Sequence, residues 1–411
     1  MRQSVVERFL RYVRVDTQSS EETDSFPSTD KQKNLGRMLY EELKELGAED
    51  PFFDEQYGYV YAAIPATDGG AKKEVLGFIA HMDTSPETSG TNVQPCIVEQ
   101  YDGGDILLNE KQQIVLSPAQ FPELRDYIGK SLIVTDGTTL LGADDKAGVS
   151  EIMTMAEELL AHPELPHGRI VLGFTPDEEV GAGVDHFDLQ RFGADVAYTV
   201  DGGGIGELEY ENFNAASAEV RIHGINVHPG EAKNKMRNAS LIAMEFNDWL
   251  PVEQRPAYTE GYEGFFHLFH VEGLVEEARL SYIVRDHSKE KFEQKKQLLL
   301  DLTEFFNKKY GEGTVDTVVQ DSYYNMRERI MPEYSYLIEA AKKSMEELGI
   351  VPKIQPIRGG TAGARLSFMG LPCPNICTGG HNYHGRYEYC CVESMEQIVQ
   401  LLVKIATRES I

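Results

Sequence analysis

The stretch GFIAHMDTSP, residues 77–86, passes from apolar residues into His81 and Asp83. Residues two apart on an extended chain point to the same side, so this imidazole and this carboxylate are neighbours. One interpretation is a metal ligand, His81, that Asp83 orients through its second ring nitrogen. The alternative is a surface hydrogen bond at a strand end, and for an isolated His-x-Asp pattern that alternative is the better one.

Four further stretches resemble this one, because each carries carboxylates or imidazoles after an apolar or glycine-rich run. They are GTTLLGADDKAG with Asp144 and Asp145, GFTPDEEVG with Asp177, Glu178 and Glu179, YTVDGGG with Asp201, and TGGHNYHG with His381 and His384. Each alone has a plain alternative: a helix cap, solvated charge, an ordinary turn or a surface hydrogen bond. The carboxyl ends of strands line one edge of an open α/β sheet, so the five stretches can converge there.

A convergent set of imidazoles and carboxylates without a thiolate is typical of an open metal site. Two cations about 3.5 Å apart need a bridging carboxylate and further nitrogen or oxygen ligands on each side. Such ligands suit zinc, and manganese or cobalt can substitute for it. The site polarises a carbonyl and lowers the pKa of water, and a carboxylate that is not a ligand can move the proton. The PDEE motif supplies one glutamate for each role.

The elements that must position these residues indicate an α/β fold. Apolar residues recur on one helical face in 30–47 and again near 149–160. Short strands that are apolar on both sides are predicted between these helices and after them. They lie at 74–81, 131–137, 168–179 and 194–203. Helices alternating with such strands predict a mostly parallel sheet with helices on both faces.

A change of pattern near Asn212 predicts a second, smaller domain. Residues 214–224 alternate as a half-exposed strand does, and two strand–helix–strand passages follow. The first pattern returns after about residue 328. We therefore predict an α+β lid domain inserted into the catalytic domain, with the boundaries 1–212 (catalytic, first part), 213–327 (lid) and 328–411 (catalytic, second part).

Composition narrows the class of protein further. A chain of 411 residues predicts two domains, and a formal net charge of -28 argues against nucleic acid and anionic membranes as partners. The sequence has no apolar run near the ~20 residues of a membrane helix and no apolar signal core at its start. Five cysteines without zinc-knuckle spacing favour reduced thiols in a cytoplasmic protein.

A series of motifs, in order along nearly the whole chain, resembles the peptidase T family. They are HMDTSP, GTTLLGADDKAG, PDEEVG, YTVDGG, NVHPG, YEGFFHL, RGGTAGARLSFMGLPCPN and NYHG. This family is the tripeptide aminopeptidase branch of the co-catalytic di-zinc metallopeptidases, which include aminoacylases and glutamate carboxypeptidases. The resemblance implies a two-zinc enzyme that acts on peptides.

Five residues match the metal ligands of that family. His81 and Asp201 resemble the ligands of one zinc ion, and Glu179 and His384 resemble those of the second. Asp144 resembles the carboxylate that bridges both ions. The resemblance therefore implies two zinc ions per subunit.

The resemblance implies catalytic roles for two further residues. Glu178 resembles the general base, and Asp83 resembles the residue that orients His81 and tunes the site. By the same comparison Asp145 is a helix-capping neighbour of the bridging carboxylate, and His381 is not a ligand.

Three of the four residues implied in substrate binding lie in the predicted lid domain, and the fourth, Arg358, lies after it. His228 in NVHPG resembles the histidine that stabilises the tetrahedral oxyanion, which in several relatives comes from the partner subunit of a homodimer. Arg285 resembles the anchor of a substrate carboxylate, which a guanidinium fork suits. Asn234 and Arg358 are further substrate-binding candidates. For the two arginines, surface ion pairing is the alternative.

One position departs from the family pattern. The pattern reads GGTDGA, whereas this chain has GGTAGA with Ala362. The substitution leaves the implied ligand set intact, but it removes a polar group that would organise the loop near the metals.

The sequence thus predicts a metal-dependent aminopeptidase that releases the N-terminal residue of tripeptides, using water activated by two zinc ions and Glu178 as general base. One alternative is another amide hydrolysis at the same site, by an N-acyl amino acid deacylase or a carboxypeptidase. A second alternative is a decayed protein that binds peptide or metal without turnover.

Overall fold

A computed structural model describes residues 2–67 and 73–408 of the chain. The chain divides into two compact units. The first comprises Met1–Tyr210, Glu328–Ile354 and Thr361–Ile411, and the second comprises Glu211–Arg327 and Gln355–Gly360. The domain ranges predicted from the sequence, 1–212, 213–327 and 328–411, stay a prediction.

The helices and strands of the described residues follow in chain order. The α-helices are α1 (Arg2–Tyr12), α2 (Gln32–Leu46), α3 (Ala143–Ala161), α4 (Leu189–Phe192), α5 (Ala239–Asp248), α6 (Lys289–Tyr310), α7 (Arg327–Ile330), α8 (Ser335–Glu347), α9 (Ala362–Met369) and α10 (Val392–Ala406). The β-strands are β1 (Glu49–Phe53), β2 (Val60–Ile64), β3 (Leu76–His81), β4 (Cys96–Val98), β5 (Ile106–Asn109), β6 (Ile114–Leu116), β7 (Leu132–Val134), β8 (Ile170–Thr175), β9 (Val196–Val200), β10 (Glu207–Glu209), β11 (Asn214–His223), β12 (Phe265–Gly273), β13 (Glu277–Asp286), β14 (Val315–Tyr323), β15 (Lys353–Ile354), β16 (Asn375–Ile376), β17 (Gly380–His381) and β18 (Tyr389–Cys391).

An eight-stranded sheet forms the centre of the first unit, in the order β1-β2-β8-β3-β9-β16-β10-β15. Its middle strands β8, β3, β9 and β16 run parallel, while β2 and β10 pair antiparallel with their inner neighbours. Every residue of β3, β8 and β9 is buried, as in strands that helices cover on both faces. The predicted α/β class with a mostly parallel sheet is confirmed.

Helices with apolar faces cover this sheet. In α2, Leu35, Leu39 and Leu43 are buried on one face, and Gly47 ends the helix with a φ of 81°, as its type and position predict. The central helix α3 packs against β3 and also against α1 and α10. Because α3 is buried nearly all round, its first residues are fixed firmly beside the end of β3.

The strand predicted at 131–137 does not belong to the central sheet. It forms β7 in an antiparallel sheet of order β17-β18-β7-β4. That part of the prediction was wrong because an apolar run indicates a buried strand without specifying its partner. The sequence analysis also missed β1, β2 and the β5–β6 hairpin.

The second unit is a four-stranded antiparallel sheet in the order β12-β13-β11-β14. Helices α5 and α6 pack against it around a core that includes Val220, Phe246, Leu280, Leu299 and Phe306. This is the α+β architecture predicted for the smaller domain. Among the helices that the structure describes, none combines the length and the apolar character needed to cross a membrane.

Candidate metal centre

Strand β3 ends at His81, and the imidazole of this residue lies among carboxylates. His81 Nε2 is 2.9 Å from Asp144 Oδ1 and 4.0 Å from Asp201 Oδ2. Asp201 follows β9, the strand next to β3 in the sheet. His81, Asp144 and Asp201 each offer one ligand atom within 4.8 Å of the others, which is close enough to surround one cation.

A second group of three meets at the same aspartate. His384 Nε2 is 2.9 Å from Glu179 Oε2 and 3.4 Å from Asp144 Oδ2. Asp144 therefore turns one carboxylate oxygen toward His81 and the other toward His384. This is the arrangement that a carboxylate needs in order to bridge two cations.

The two groups are assembled from different parts of the first unit. His81, Asp201 and Glu179 follow strands of the central sheet, as expected for its carboxyl edge. Asp144 instead follows a loop after β7, and His384 follows β17, both of which belong to the antiparallel sheet. The expectation that all these residues come from strand ends of one sheet was therefore wrong for two of them.

Asp83 connects His81 to the loop that carries the two glutamates. Its carboxylate lies 3.3 Å from His81 Nδ1 and accepts hydrogen bonds from the backbone N–H groups of Glu178 (3.0 Å) and Glu179 (3.2 Å). Asp83 is fully buried. The backbone carbonyl oxygen of Asp83 also lies 3.1 Å from His81 Nδ1, so this one residue holds both the imidazole plane and the PDEE loop.

Close packing of α3 on β9 accounts for a glycine in the ADDKAG motif. A Cβ atom at Gly148 would lie 1.9 Å from the carbonyl oxygen of Val200, the residue before Asp201. The same glycine donates its N–H to Asp145 Oδ1 at 3.2 Å, a bond typical of a helix-capping residue. The other oxygen of Asp145 accepts the backbone N–H of His81.

Several carboxyl groups lie close together at this centre, and the pKa values of most of them are raised. Burial raises the pKa of Glu178 and of Glu179 to about 8, and that of Asp201 to about 7. Although burial opposes its ionisation, hydrogen bonds with His384 and His81 hold the pKa of Asp144 well below its usual range.

Curated relatives match this chain over nearly its whole length. It is 57% identical over 403 residues to peptidase T of Alkaliphilus oremlandii, and the match covers 98% of each chain. The chain belongs to the peptidase T family. Residues 210–314 also match the family described as a peptidase dimerisation domain.

Solved structures with the same fold include two that are similar over nearly their whole length. Aminopeptidase PepT from Bacillus cereus ATCC 10987 superposes with a TM-score of 0.78 at 24% identity, covering 99% of this chain and 98% of that one. A tripeptidase from Staphylococcus aureus superposes equally well, at 0.78 and 20% identity, with coverage of 99% and 98%. The Bacillus subtilis YXEP protein, a dinuclear metal binding peptidase of the M20 family, reaches 0.67 at 13% identity, with 99% and 97% covered.

This member of the peptidase T family has a centre whose donors fit metal ions. The imidazoles and carboxylates of the two groups, of which His81 is buried and the others are partly buried, include no thiolate and suit zinc, manganese or cobalt. Glu179 Oε1 is buried and has no hydrogen-bond partner, so the protein alone leaves one ligand atom unsatisfied. Cations would also offset the burial, and the lesser repulsion between carboxylates, that raise the pKa values of these carboxyl groups.

Two buried side chains that sequence reasoning missed hold the loops of this centre. Glu388 accepts the backbone N–H groups of Leu141, Gly142 and Asp144. Gln32 forms paired hydrogen bonds with Asp177 in the PDEE loop (Nε2 to Oδ1, 2.7 Å). The sequence signal for Gln32 was a polar residue at the start of α2, on the helical face that carries Leu35 and Leu39. No spacing pattern in the sequence indicated Glu388.

His381 and Ala362, two positions discussed from the sequence, do not belong to the two ligand groups. His381 is not among the grouped ligand atoms, and its Nε2 accepts a hydrogen bond from the Tyr127 hydroxyl at 2.5 Å. Ala362 is buried at the first position of α9, where Thr361 caps the helix by accepting the N–H of Gly363. The loop therefore passes into a capped helix with alanine at the position where the family pattern has aspartate.

The four candidates for substrate binding lie in the second unit. His228 and Asn234 are exposed, and Asn234 has a left-handed φ of 61°. His228 Nδ1 accepts the N–H of Gly230 at 3.2 Å, which in the neutral ring places the proton on Nε2. The second pair is Arg285 and Arg358, which contact each other.

The two arginines differ in how their donors are used. Arg358 donates to the carbonyl oxygens of Gly261 and Glu263 and to Thr259 Oγ1, so it holds the distant segment 259–263 of the same unit. Arg285 donates from Nη1 to the carbonyl oxygen of Arg358, while its buried Nε has no partner. Arg285 is therefore the better placed of the two to receive a carboxylate.

Proposed function

We propose that this protein is a tripeptide aminopeptidase that depends on two zinc ions and releases the N-terminal residue of its substrate. The observation that carries the proposal is the pair of three-residue groups that share Asp144, with the acidic residue Glu178 beside them. Membership of the peptidase T family supports the activity, and the tripeptidase among the similar structures supports the substrate length.

His81 and Asp201 would hold one ion and Glu179 and His384 the other, with Asp144 between them. When bound, the ions supply Lewis-acid polarisation of the scissile carbonyl and make water acidic enough to be deprotonated near neutral pH. The chain keeps this site in place through Asp83, whose carboxylate contacts both the imidazole of His81 and the PDEE loop.

Glu178 is the proposed general base. Burial raises its pKa to about 8 without cations, and its deprotonated form, which bound cations would favour, can take a proton from the attacking water and then give it to the leaving amine. In the second unit, the Nε2–H of His228 would donate to the oxyanion, and the guanidinium of Arg285 would bind the substrate carboxylate. Asn234 and Arg358 are the further substrate-binding residues of this proposal.

Two properties of the whole protein belong to the same proposal. We infer a homodimer, supported by the match of residues 210–314 to a peptidase dimerisation domain. We also infer that the enzyme degrades peptides in the cytoplasm, supported by five cysteines that are all unpaired in the structure.

The test is hydrolysis of a tripeptide, a dipeptide and an N-acetyl amino acid by the purified protein, with and without a chelator. We expect turnover of the tripeptide alone, lost with the chelator and restored by zinc. We also expect Glu178→Gln to keep its metal content while kcat falls by about 10²–10⁴-fold, the usual contribution of a general base.

Glu164→Gln, at an exposed glutamate of the first unit, is the matched control and should behave as the wild type. Full turnover by Glu178→Gln rules out that residue as the base. Cleavage of the N-acetyl amino acid in place of the tripeptide identifies a deacylase, and metal binding without any turnover identifies a decayed enzyme.

A further inference from the structure

One buried carboxylate, that of Glu388, holds the backbone that carries Asp144. Its Oε2 accepts hydrogen bonds from the N–H groups of Leu141 (2.7 Å) and Gly142 (2.8 Å). Its Oε1 accepts the N–H of Asp144 itself at 3.1 Å. Glu388 is 1% exposed, so water does not compete for these bonds.

The backbone from Leu141 to Asp144 depends on these bonds, because the capping bond of Asp145 lies beyond it, at the N–H of Gly148. Gly142 offers no side chain, and the φ and ψ values of Asp144 and Asp145 are not helical. N–H groups at a helix start need an acceptor from elsewhere, and a carboxylate is the favoured one. The course of the backbone through Asp144 is therefore set by Glu388.

Glu388 is also linked to the other side of the metal centre. It lies four residues after His384 and directly before β18, which pairs with β7. The same short segment thus carries one candidate ligand and fixes the backbone of the shared one. The link thus joins the backbones of two residues whose side chains, His384 Nε2 and Asp144 Oδ2, lie 3.4 Å apart.

We propose that Glu388 is a positioning residue that holds Asp144 where its two oxygens serve both metal positions. The inference rests on the proposed metal-dependent function. Without the Glu388 carboxylate, the N–H of Asp144 loses its acceptor and the loop leaves the bridging position. Loss of a partner that orients metal ligands typically weakens metal binding by about 10–100-fold, and we expect that loss here.

The test compares the wild type with Glu388→Gln, both full-length and stripped of metal, by titration with Co²⁺. Glutamine keeps the size of the side chain but puts an NH₂ donor where Oε1 or Oε2 accepted a backbone N–H. We expect Co²⁺ affinity in equilibrium dialysis to fall by about 10–100-fold and the visible Co²⁺ spectrum at saturation to change. Circular dichroism verifies that the variant is folded.

Glu393→Gln is the matched control. This glutamate lies five residues further along, accepts the N–H of Ser131 at 2.9 Å and is not part of the metal centre, so wild-type affinity and spectrum are expected. If Glu388→Gln does not fold, Glu388→Asp takes its place in the same Co²⁺ titration. Aspartate keeps the negative charge, but its side chain is one methylene shorter, so its oxygens lie further from the backbone N–H groups.

Two results overturn the positioning role. A wild type that binds two Co²⁺ ions, with a folded Glu388 variant that binds them equally well and shows the same spectrum, disproves it while leaving the proposed function intact. A wild type that binds no Co²⁺ overturns the metal-dependent function as well.

Discussion

Asp144 shows how one side chain can organise two metal positions. Its oxygens face different histidines, with Oδ1 at 2.9 Å from His81 and Oδ2 at 3.4 Å from His384. In the protein without metal, these imidazoles take the place of cations as the positive partners of the carboxylate. Burial raises the pKa values of Glu179 and Asp201 around them, and a bound cation would lower these values again.

These shifts predict how the effect of metal on stability depends on pH. Burial raises the pKa of Glu179 to about 8 and of Asp201 to about 7, and hydrogen bonds with Asp144 and Glu179 raise that of His384 to about 11. All three groups bind protons more tightly in the folded than in the unfolded chain. Their contribution is thus complete at low pH. That of Asp201 is lost as pH rises to about 7 and that of Glu179 as it rises to about 8, while that of His384 declines from neutral pH toward about 11. The lowered pKa of Asp144 contributes stability at neutral pH that is lost only in strong acid, outside this range.

We therefore expect the difference in Tm between zinc-loaded and chelator-treated protein to widen between about pH 6 and pH 9. Calorimetry of both forms across this range measures it, in buffers of constant ionic strength. A difference that stays constant or narrows contradicts the prediction.

At the scale of elements, the PDEE loop is held from two directions. Asp83, just beyond β3, accepts the N–H groups of Glu178 and Glu179. On the other side, Gln32 at the start of α2 bonds twice to Asp177, whose φ of 54° is left-handed. A helix and a strand end together fix the loop that carries the proposed base.

We expect Gln32→Leu to loosen this loop. The substitution leaves the N–H of buried Asp177 without a partner and removes one of the hydrogen bonds to its carboxylate, which costs about 1–3 kcal/mol in the free energy of unfolding. It should also lower kcat for a tripeptide, because Glu178 follows Asp177 directly. Urea denaturation and steady-state kinetics measure the two effects.

Asn34→Leu is the control for that variant, since Asn34 lies on the same helix but is exposed. It should leave both quantities near their wild-type values. Equal losses in the two variants show that the effect comes from α2 and not from the bond to Asp177.

At the scale of the whole molecule, the second unit exposes apolar side chains where a partner could pack. Leu241 and Met244 on α5 are 62% and 64% exposed, and Phe269 and Val271 on β12 are 56% and 62% exposed. β12 is an edge strand, so its outer backbone groups are free to pair with another strand. Both elements lie within the matched dimerisation domain.

We expect light scattering to give twice the 46.1 kDa mass of one chain. Leu241→Glu should shift the protein toward the monomer, because a charge would be buried at the interface. Val318→Glu is the control, since Val318 is 60% exposed on β14 at the opposite edge of the sheet. A wild-type monomer, or equal dissociation by both variants, contradicts this assignment.

Much of the fold could be predicted from local patterns. The apolar faces of α2 and α3 and the buried runs of β3, β8 and β9 appear directly in the sequence, because helix and strand periodicity depends on neighbouring residues. The partner of β7 could not be predicted this way. An apolar strand fits a parallel or an antiparallel sheet equally well, and only its neighbours in space decide.

The sequence by itself determined the chemistry of the centre, because the capacity of His81, Asp144 or Glu179 to bind metal is a property of residue type. Only the tertiary structure decided which oxygen of Asp144 faces which histidine, and which groups hold the loops. The Glu388–Asp144 bond spans 244 positions of the chain and the Gln32–Asp177 bond spans 145. A side chain that bonds to a distant backbone leaves no spacing in the sequence, since the bond exists only once packing has brought the two together.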